Sequence, residues 1–266
     1  MSWAWLAYPL LGVFGGFIAG LFGVGGGLLL VPLLFMLFSA QGVAEAHVMH
    51  LALGTAMTTI AFTSVSSMRA HHHHGAVRLD IVKPMAPGLL LGTFGGTTFA
   101  SMIPTRPLGV LFVVIVYYAA WQMAAGFQPR PGHRLPGNSG RFLVGAAIGC
   151  VSSLISAGGG FMSIPFMLWC NVPIHQAIGT SAALGFPIAI AGTLGYIWHG
   201  WGQAGLPAGA LGYVHLPALA GVVIMSVLTA PLGARLAHQL PVKPLKRGFG
   251  LFLALLATKM LFELIG

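Results

Sequence analysis

The chain has 266 residues, of which 57% are hydrophobic and 6% charged, with 12 Lys and Arg against 3 Asp and Glu and a formal net charge of +9. A soluble domain carries about 25% charged residues, so 15 such side chains (12 + 3) cannot coat a water-facing surface of this size, which excludes a soluble globular protein. The basic excess lies in short loops between apolar runs and not along a soluble face, which argues against nucleic acid and for a lipid bilayer as partner.

The opening MSWAWLAYPLL has neither a basic leader nor a small-residue cleavage site, and is expected to belong to the mature chain. A membrane span needs about 20 apolar residues. Trp3–Phe38 is long enough but is interrupted by Gly25-Gly26-Gly27. Ala46–Ser67, Ile81–Met102 and Pro107–Ala125 each read as one span, and the polar, Pro- and Gly-rich stretch 127–141 reads as a linker. Phe142–Cys170 is interrupted in turn by Gly158-Gly159-Gly160, and Ile174–Ile197, Tyr213–Leu236 and Gly248–Ile265 close the series. Cys150 and Cys170 both fall in apolar segments and are expected as buried free thiols.

The two halves match in order. Gly25-Gly26-Gly27 with Pro32 corresponds to Gly158-Gly159-Gly160 with Pro165, and His50-x-x-x-Gly54-Thr55 to His175-x-x-x-Gly179-Thr180. Pro32 to Pro84 and Pro165 to Pro217 are each 52 residues. The chain therefore divides into a first repeat (1–126), a linker (127–141) and a second repeat (142–266). Arg69, Arg78, Lys83, Arg130, Arg134, Arg141, Arg235, Lys243, Lys246 and Arg247 fall on one side only if the second repeat is inverted, which makes that side cytoplasmic. Inversion needs an odd number of crossings per half. The predicted fold is thus an all-α polytopic membrane protein with two inverted-topology repeats, each a glycine-broken first helix (re-entrant or split) plus three spanning helices.

Glycine frees the backbone from helical geometry and proline removes a donor, so each Gly-Gly-Gly-x-x-x-x-Pro element weakens a continuous helix. A helix starting beside such a break aims free N–H groups and a positive dipole end into the membrane interior, which suits an anion without a buried cation. Gly25, Gly26, Gly27, Gly158, Gly159 and Gly160 are accordingly candidate substrate-binding positions. Thr55, Thr180, Ser181 and Ser156 are candidate hydroxyl donors to an oxyanion. His50 and His175 are either protonatable partners of the substrate or interfacial histidines bonded to backbone. Gly12-x-x-x-Gly16-x-x-x-Gly20 and Gly88-x-x-x-Gly92-x-x-x-Gly96 read as helix-packing faces. The run His71–His74 reads as a solvated basic loop and not a metal site, because only His74 has a counterpart in the other half. No phosphate-binding loop, zinc-protease signature or catalytic constellation is present in the sequence, so neither an enzyme nor a cofactor is expected.

GLFGVGGGLLLVPLL, its repeat SLISAGGGFMSIPFML, HHHHGAVRLDIVKPMAPGLLLG and IMSVLTAPLGARLAHQLPVKPLKRGFGLFLALLATKM together resemble the sulfite exporter TauE/SafE family, from about Gly12 to Met260. The resemblance implies a permease of the bacterial inner membrane for small inorganic or organic sulfur anions such as sulfite, thiosulfate or sulfonates. The family's glycine signatures map onto Gly25, Gly26, Gly27, Pro32, Gly158, Gly159, Gly160 and Pro165, while Ala76-Val77-Arg78-Leu79-Asp80 departs from its usual loop. The expected mechanism is alternating access around a midplane site between the two glycine breaks. A passive anion channel or an intramembrane enzyme are the alternatives.

Overall fold

The computed structural model describes residues 2–22, 26–125, 132–237, 239 and 242–265, and for residues 2–5, 242, 243, 245 and 246 it describes the backbone alone. The chain is an all-α membrane protein. Among the described residues ten helices run in chain order: α1 Ser2–Phe22, α2 Gly27–Ala40, α3 Glu45–His73, α4 Leu79–Ser101, α5 Thr105–Ala124, α6 Asn138–Ile155, α7 Gly160–Trp169, α8 Ile174–Gly200, α9 Leu216–Ala237 and α10 Val242–Ile265. Six of them, α3, α5, α6, α8, α9 and α10, are long and apolar enough to cross a membrane. The loop before α9 folds into a two-residue antiparallel ladder that the sequence does not announce, pairing Ala210 with His215 and Leu211 with Val214.

Burial separates the inside from the lipid face. The apolar window of α3 is 89% buried and that of α8 72%, against 28% for α9, so α3 and α8 are the most buried of the long helices, and the short α2 is mostly buried beside them. Large apolar side chains such as Leu91, Trp198 and Phe262 stand exposed on the outside, as a hydrocarbon solvent permits. The peripheral packing is exchanged between halves: α1 lies along α9 and α4 along α6. Both contacts run on the glycine stripes. A Cβ at Gly12, Gly16 or Gly20 would meet the backbone of α9, and one at Gly88 or Gly92 the backbone of α6. Small residues here let backbones approach in the absence of a hydrophobic drive between helices.

Helix ends follow local chemistry. α3 runs on to His73, so His71–His73 belong to its last turn and not to a loop. No Gly or Pro interrupts the chain between Gly54 and Gly75, and Gly75 (φ 65) ends the helix. The Gly75 and Ala76 N–H groups return to the carbonyls of His72 and His71, a left-handed cap that glycine adopts without strain. His71 is buried, its Nε2 3.1 Å from the Gly20 carbonyl near the end of α1, whereas His72, His73 and His74 are exposed. α7 has ten residues, about 15 Å at 1.5 Å per residue, which is half of a hydrocarbon core. Cys170 is buried and Cys150 half-buried, and both are free thiols.

Candidate functional site

Two glycine segments, of which residues 26–27 and 156–160 are described, stand at the starts of α2 and α7. α1 ends at Phe22 and α2 starts at Gly27 after Gly26 in left-handed geometry (φ 73); α6 ends at Ile155, and α7 starts at Gly160 after Gly159 at φ 77. Gly25 lies outside the described residues. The two segments touch: the Ser156 carbonyl occupies the space a Cβ on Gly27 would need. Ser156 is itself left-handed (φ 45), and its hydroxyl donates to the Leu53 carbonyl at 2.7 Å, which fixes the end of α6 against α3. Tyr196 on α8 donates to the Ser153 carbonyl at 2.8 Å from a fully buried position.

Beside Gly158 lies a small cavity of about 10 Å³ walled by Thr63, Ser64 and Ser67 of α3 and by Ser181 and Gly185 of α8. Ala19 of α1 completes it, and Ala19 packs on the space beside Gly26, so both glycine segments adjoin the cavity. Thr63 and Ser64 donate to carbonyls of their own helix, Thr59 and Ala61. Among the described residues, buried Ser67 Oγ has no hydrogen-bond partner. Nor has Ser152 Oγ, next to Gly159, or Ser163 Oγ in the first turn of α7. Unpaired hydroxyls are costly to bury, and these three lie around the second glycine segment.

The cavity holds Gly158 and Ser181 from the expected set. Thr63, Ser64 and Ser67 were not anticipated, although the hydroxyl pattern Thr58-Thr59, Thr63-Ser64, Ser66-Ser67 inside an apolar helix was the available signal. Thr55 and Thr180 are elsewhere, and they act as a pair. Thr55 Oγ1 accepts the His215 N–H at 2.9 Å and Thr180 Oγ1 accepts the Arg78 N–H at 2.9 Å, in each case from the residue just before a helix of the other half. Gly54 and Gly179 complete the contact, since a Cβ there would meet the carbonyls of Tyr213 and Ala76. These contacts also show that α3 and α8 run antiparallel, the start of each lying against the loop that follows the other.

The histidines of the same motif diverge. His50 is buried, its Nε2 3.2 Å from the Ala100 carbonyl and its ring stacked 5.0 Å from Tyr213. His175 is exposed at the opposite end of the α3–α8 pair. Neither lines the cavity. No group of three or more His, Cys, Asp or Glu side chains is arranged to hold a metal among the described residues.

Charge is segregated by end. Arg69, His73, His74 and Arg235 surround one groove, and Arg78, which bridges to Asp80 at 2.7 Å, lies at the same end with Arg141, whose guanidinium donates to the Asp80 carbonyl. The Asp80 carboxylate beside Arg78 holds that guanidinium's pKa above its ordinary value. Arg106 pairs with Glu45 at the other end. Arg130 lies outside the described residues, and the side chains of Lys243 and Lys246 are likewise not described.

A bundle with two buried central helices, lipid-exposed flanks and a hydroxyl-walled cavity between the halves defines a polytopic helical membrane protein with a polar interior. The chain belongs to the sulfite exporter TauE/SafE family, whose model matches residues 8–260. It is similar to a probable membrane transporter protein of Haemophilus influenzae, 37% identical over 96% of this chain and 97% of that one. It is similar also to probable membrane transporter proteins of Bacillus subtilis (YdhB, 27% identical, 93% of this chain and 96% of that one) and of Methanocaldococcus jannaschii (24%, 91% and 90%). No solved structure gives a significant match.

Proposed function

We propose that the chain is a transporter of small sulfur-containing oxyanions, such as sulfite, thiosulfate or sulfonates, in a bacterial inner membrane. The observation that carries this reading is the hydroxyl-walled cavity beside Gly158, with Ser67 Oγ buried in it and unpartnered among the described residues. Hydroxyls and helix N-termini bind an oxyanion without a buried cation, and the N-terminus of α7 begins two residues after Gly158. The family description supports transport of a sulfite-like anion, and the printed names of the relatives support membrane transport alone.

The volume suits alternating access. About 10 Å³ holds one water and no oxyanion, so the walls of α3 and α8 must part to load the site from one side or the other. The two halves, 1–126 and 142–266, are inferred to be inverted repeats joined by the linker 127–141. The antiparallel α3 and α8, which carry the same motif, and the exchanged packing of α1 on α9 and α6 on α4 support that inference. The end bearing Arg69, Arg78, Arg141 and Arg235 is assigned to the cytoplasm by its charge.

Uptake of radiolabelled sulfite into proteoliposomes, competed with thiosulfate, sulfoacetate, sulfate and chloride, tests the proposal. Saturable uptake blocked by a sulfur oxyanion and not by chloride is the expected result. Uptake that rises linearly without saturation would indicate a channel, and no uptake of any of these anions by folded protein would overturn the function.

A further inference from the structure

A second feature of the molecule is independent of what the chain carries. On the far side of α3 from the hydroxyl cavity, a groove of about 650 Å³ opens between α3, α8 and α9. Its walls are apolar along most of their length, with Phe62, Ile190, Val227 and Pro231 among them, and Phe62 is half-exposed. Ser66 Oγ donates to the Val227 carbonyl at 2.9 Å and so ties α3 to α9 beneath it. One end is strongly basic, with Arg69 from α3 and Arg235 from α9 both lining it and both exposed. His73 and His74 lie at the same end.

We propose that this groove binds one anionic phospholipid, with its phosphate between Arg69 and Arg235 and an acyl chain along the apolar wall toward the midplane. The dimensions fit a single leaflet. Phe62 to Arg69 is seven residues of helix and Val227 to Arg235 eight, about 10 and 12 Å at 1.5 Å per residue, close to the roughly 15 Å from midplane to headgroup. The charge fits as well. The chain has three carboxylate residues; Asp80 and Glu45 are engaged by Arg78 and Arg106, and among the described residues neither Arg69 nor Arg235 has an ion pair. Two guanidiniums facing one apolar slot at headgroup depth match a phosphodiester, which they hold through paired N–H donors. A zwitterionic lipid brings its own cation to the same place and gains less.

Native mass spectrometry of the detergent-purified chain, titrated with dioleoylphosphatidylglycerol or dioleoylphosphatidylcholine, tests this. The expected result is preferential retention of the phosphatidylglycerol, weakened roughly 30-fold in the double variant Arg69→Gln/Arg235→Gln. Lys259→Gln, an exposed lysine outside the groove, should leave retention unchanged. Val65→Trp fills the groove while leaving both arginines, and should also lower retention, which separates a lipid from a bare anion and supplies a second variant should the double one melt early in a thermal scan. Equal binding of the two lipids, full retention by the arginine variant, or displacement by inorganic phosphate as readily as by phosphatidylglycerol would each overturn the proposal.

Discussion

Gly54-Thr55 on α3 and Gly179-Thr180 on α8 make the same contact with the opposite half, while His50 and His175, one turn earlier in each helix, sit in opposite surroundings. The two copies of one motif thus separate into a shared part and a divergent part. The shared part concerns the backbone: each glycine admits a carbonyl, and each threonine hydroxyl accepts an N–H that would otherwise be unpaired at the start of α9 or α4. A buried backbone donor must be satisfied whatever the substrate. The histidine is the same residue in both copies but is free of that constraint, and its surroundings differ: His50 is packed on Tyr213 while His175 is exposed.

The sharpest way to break this equivalence is to crowd the glycines. Gly54→Val and Gly179→Val would push side-chain atoms onto the carbonyls of Tyr213 and Ala76, neither of which is the free end of a flexible group. Each should cost about 3 kcal/mol, read as a large fall in the thermal midpoint in detergent. A wild-type midpoint in either variant would remove the interlock.

Thr55→Val and Thr180→Val keep shape and delete the acceptor, so they should differ in a defined way. His215 is buried, and its N–H would be stranded, at a cost of about 2 kcal/mol. Arg78 is half-buried near the basic end, where water can replace the hydroxyl, and about 1 kcal/mol is expected. Equal losses would show that the two loops are equally sealed.

The helices and the glycine stripes were legible in the sequence because each rests on local chemistry: apolar length and small residues at i and i+4. The function of Gly-Thr was not. A threonine after glycine looks the same whether it faces a ligand or a loop from the other half, and only the packing of α3 against the segment before α9 distinguishes them. The run His71–His74 misled for a related reason. Four histidines look soluble, yet His71 falls on the inner face of a helix that continues until Gly75. Thr63, Ser64 and Ser67 were passed over because hydroxyls in an apolar helix ordinarily bond their own backbone, as Thr63 and Ser64 do; Ser67, which does not, differs from them only in the folded chain.

Ser67→Ala contrasts the cavity with the interlock, because the two should respond on different readouts. Removing an unpartnered buried hydroxyl should leave stability unchanged or raise it, while losing one hydrogen bond to a bound oxyanion should raise the half-saturation concentration for sulfite about tenfold. A fall in the thermal midpoint with unchanged uptake kinetics would instead make Ser67 a packing residue.

The smallest effects belong to the histidines, and they ask whether the divergence within the motif is real. His50→Phe preserves a ring to stack on Tyr213 and deletes the contact to the Ala100 carbonyl, so about 1 kcal/mol should be lost. His175→Phe changes an exposed side chain and should stay within about 0.5 kcal/mol. Because neither ring lines the cavity, sulfite uptake by both variants should keep the wild-type half-saturation value and pH profile. A shifted pH profile in His50→Phe alone would return that histidine to the transport path, and the same shift in both would mean that the two halves, despite their different surroundings at this position, still share one protonation step.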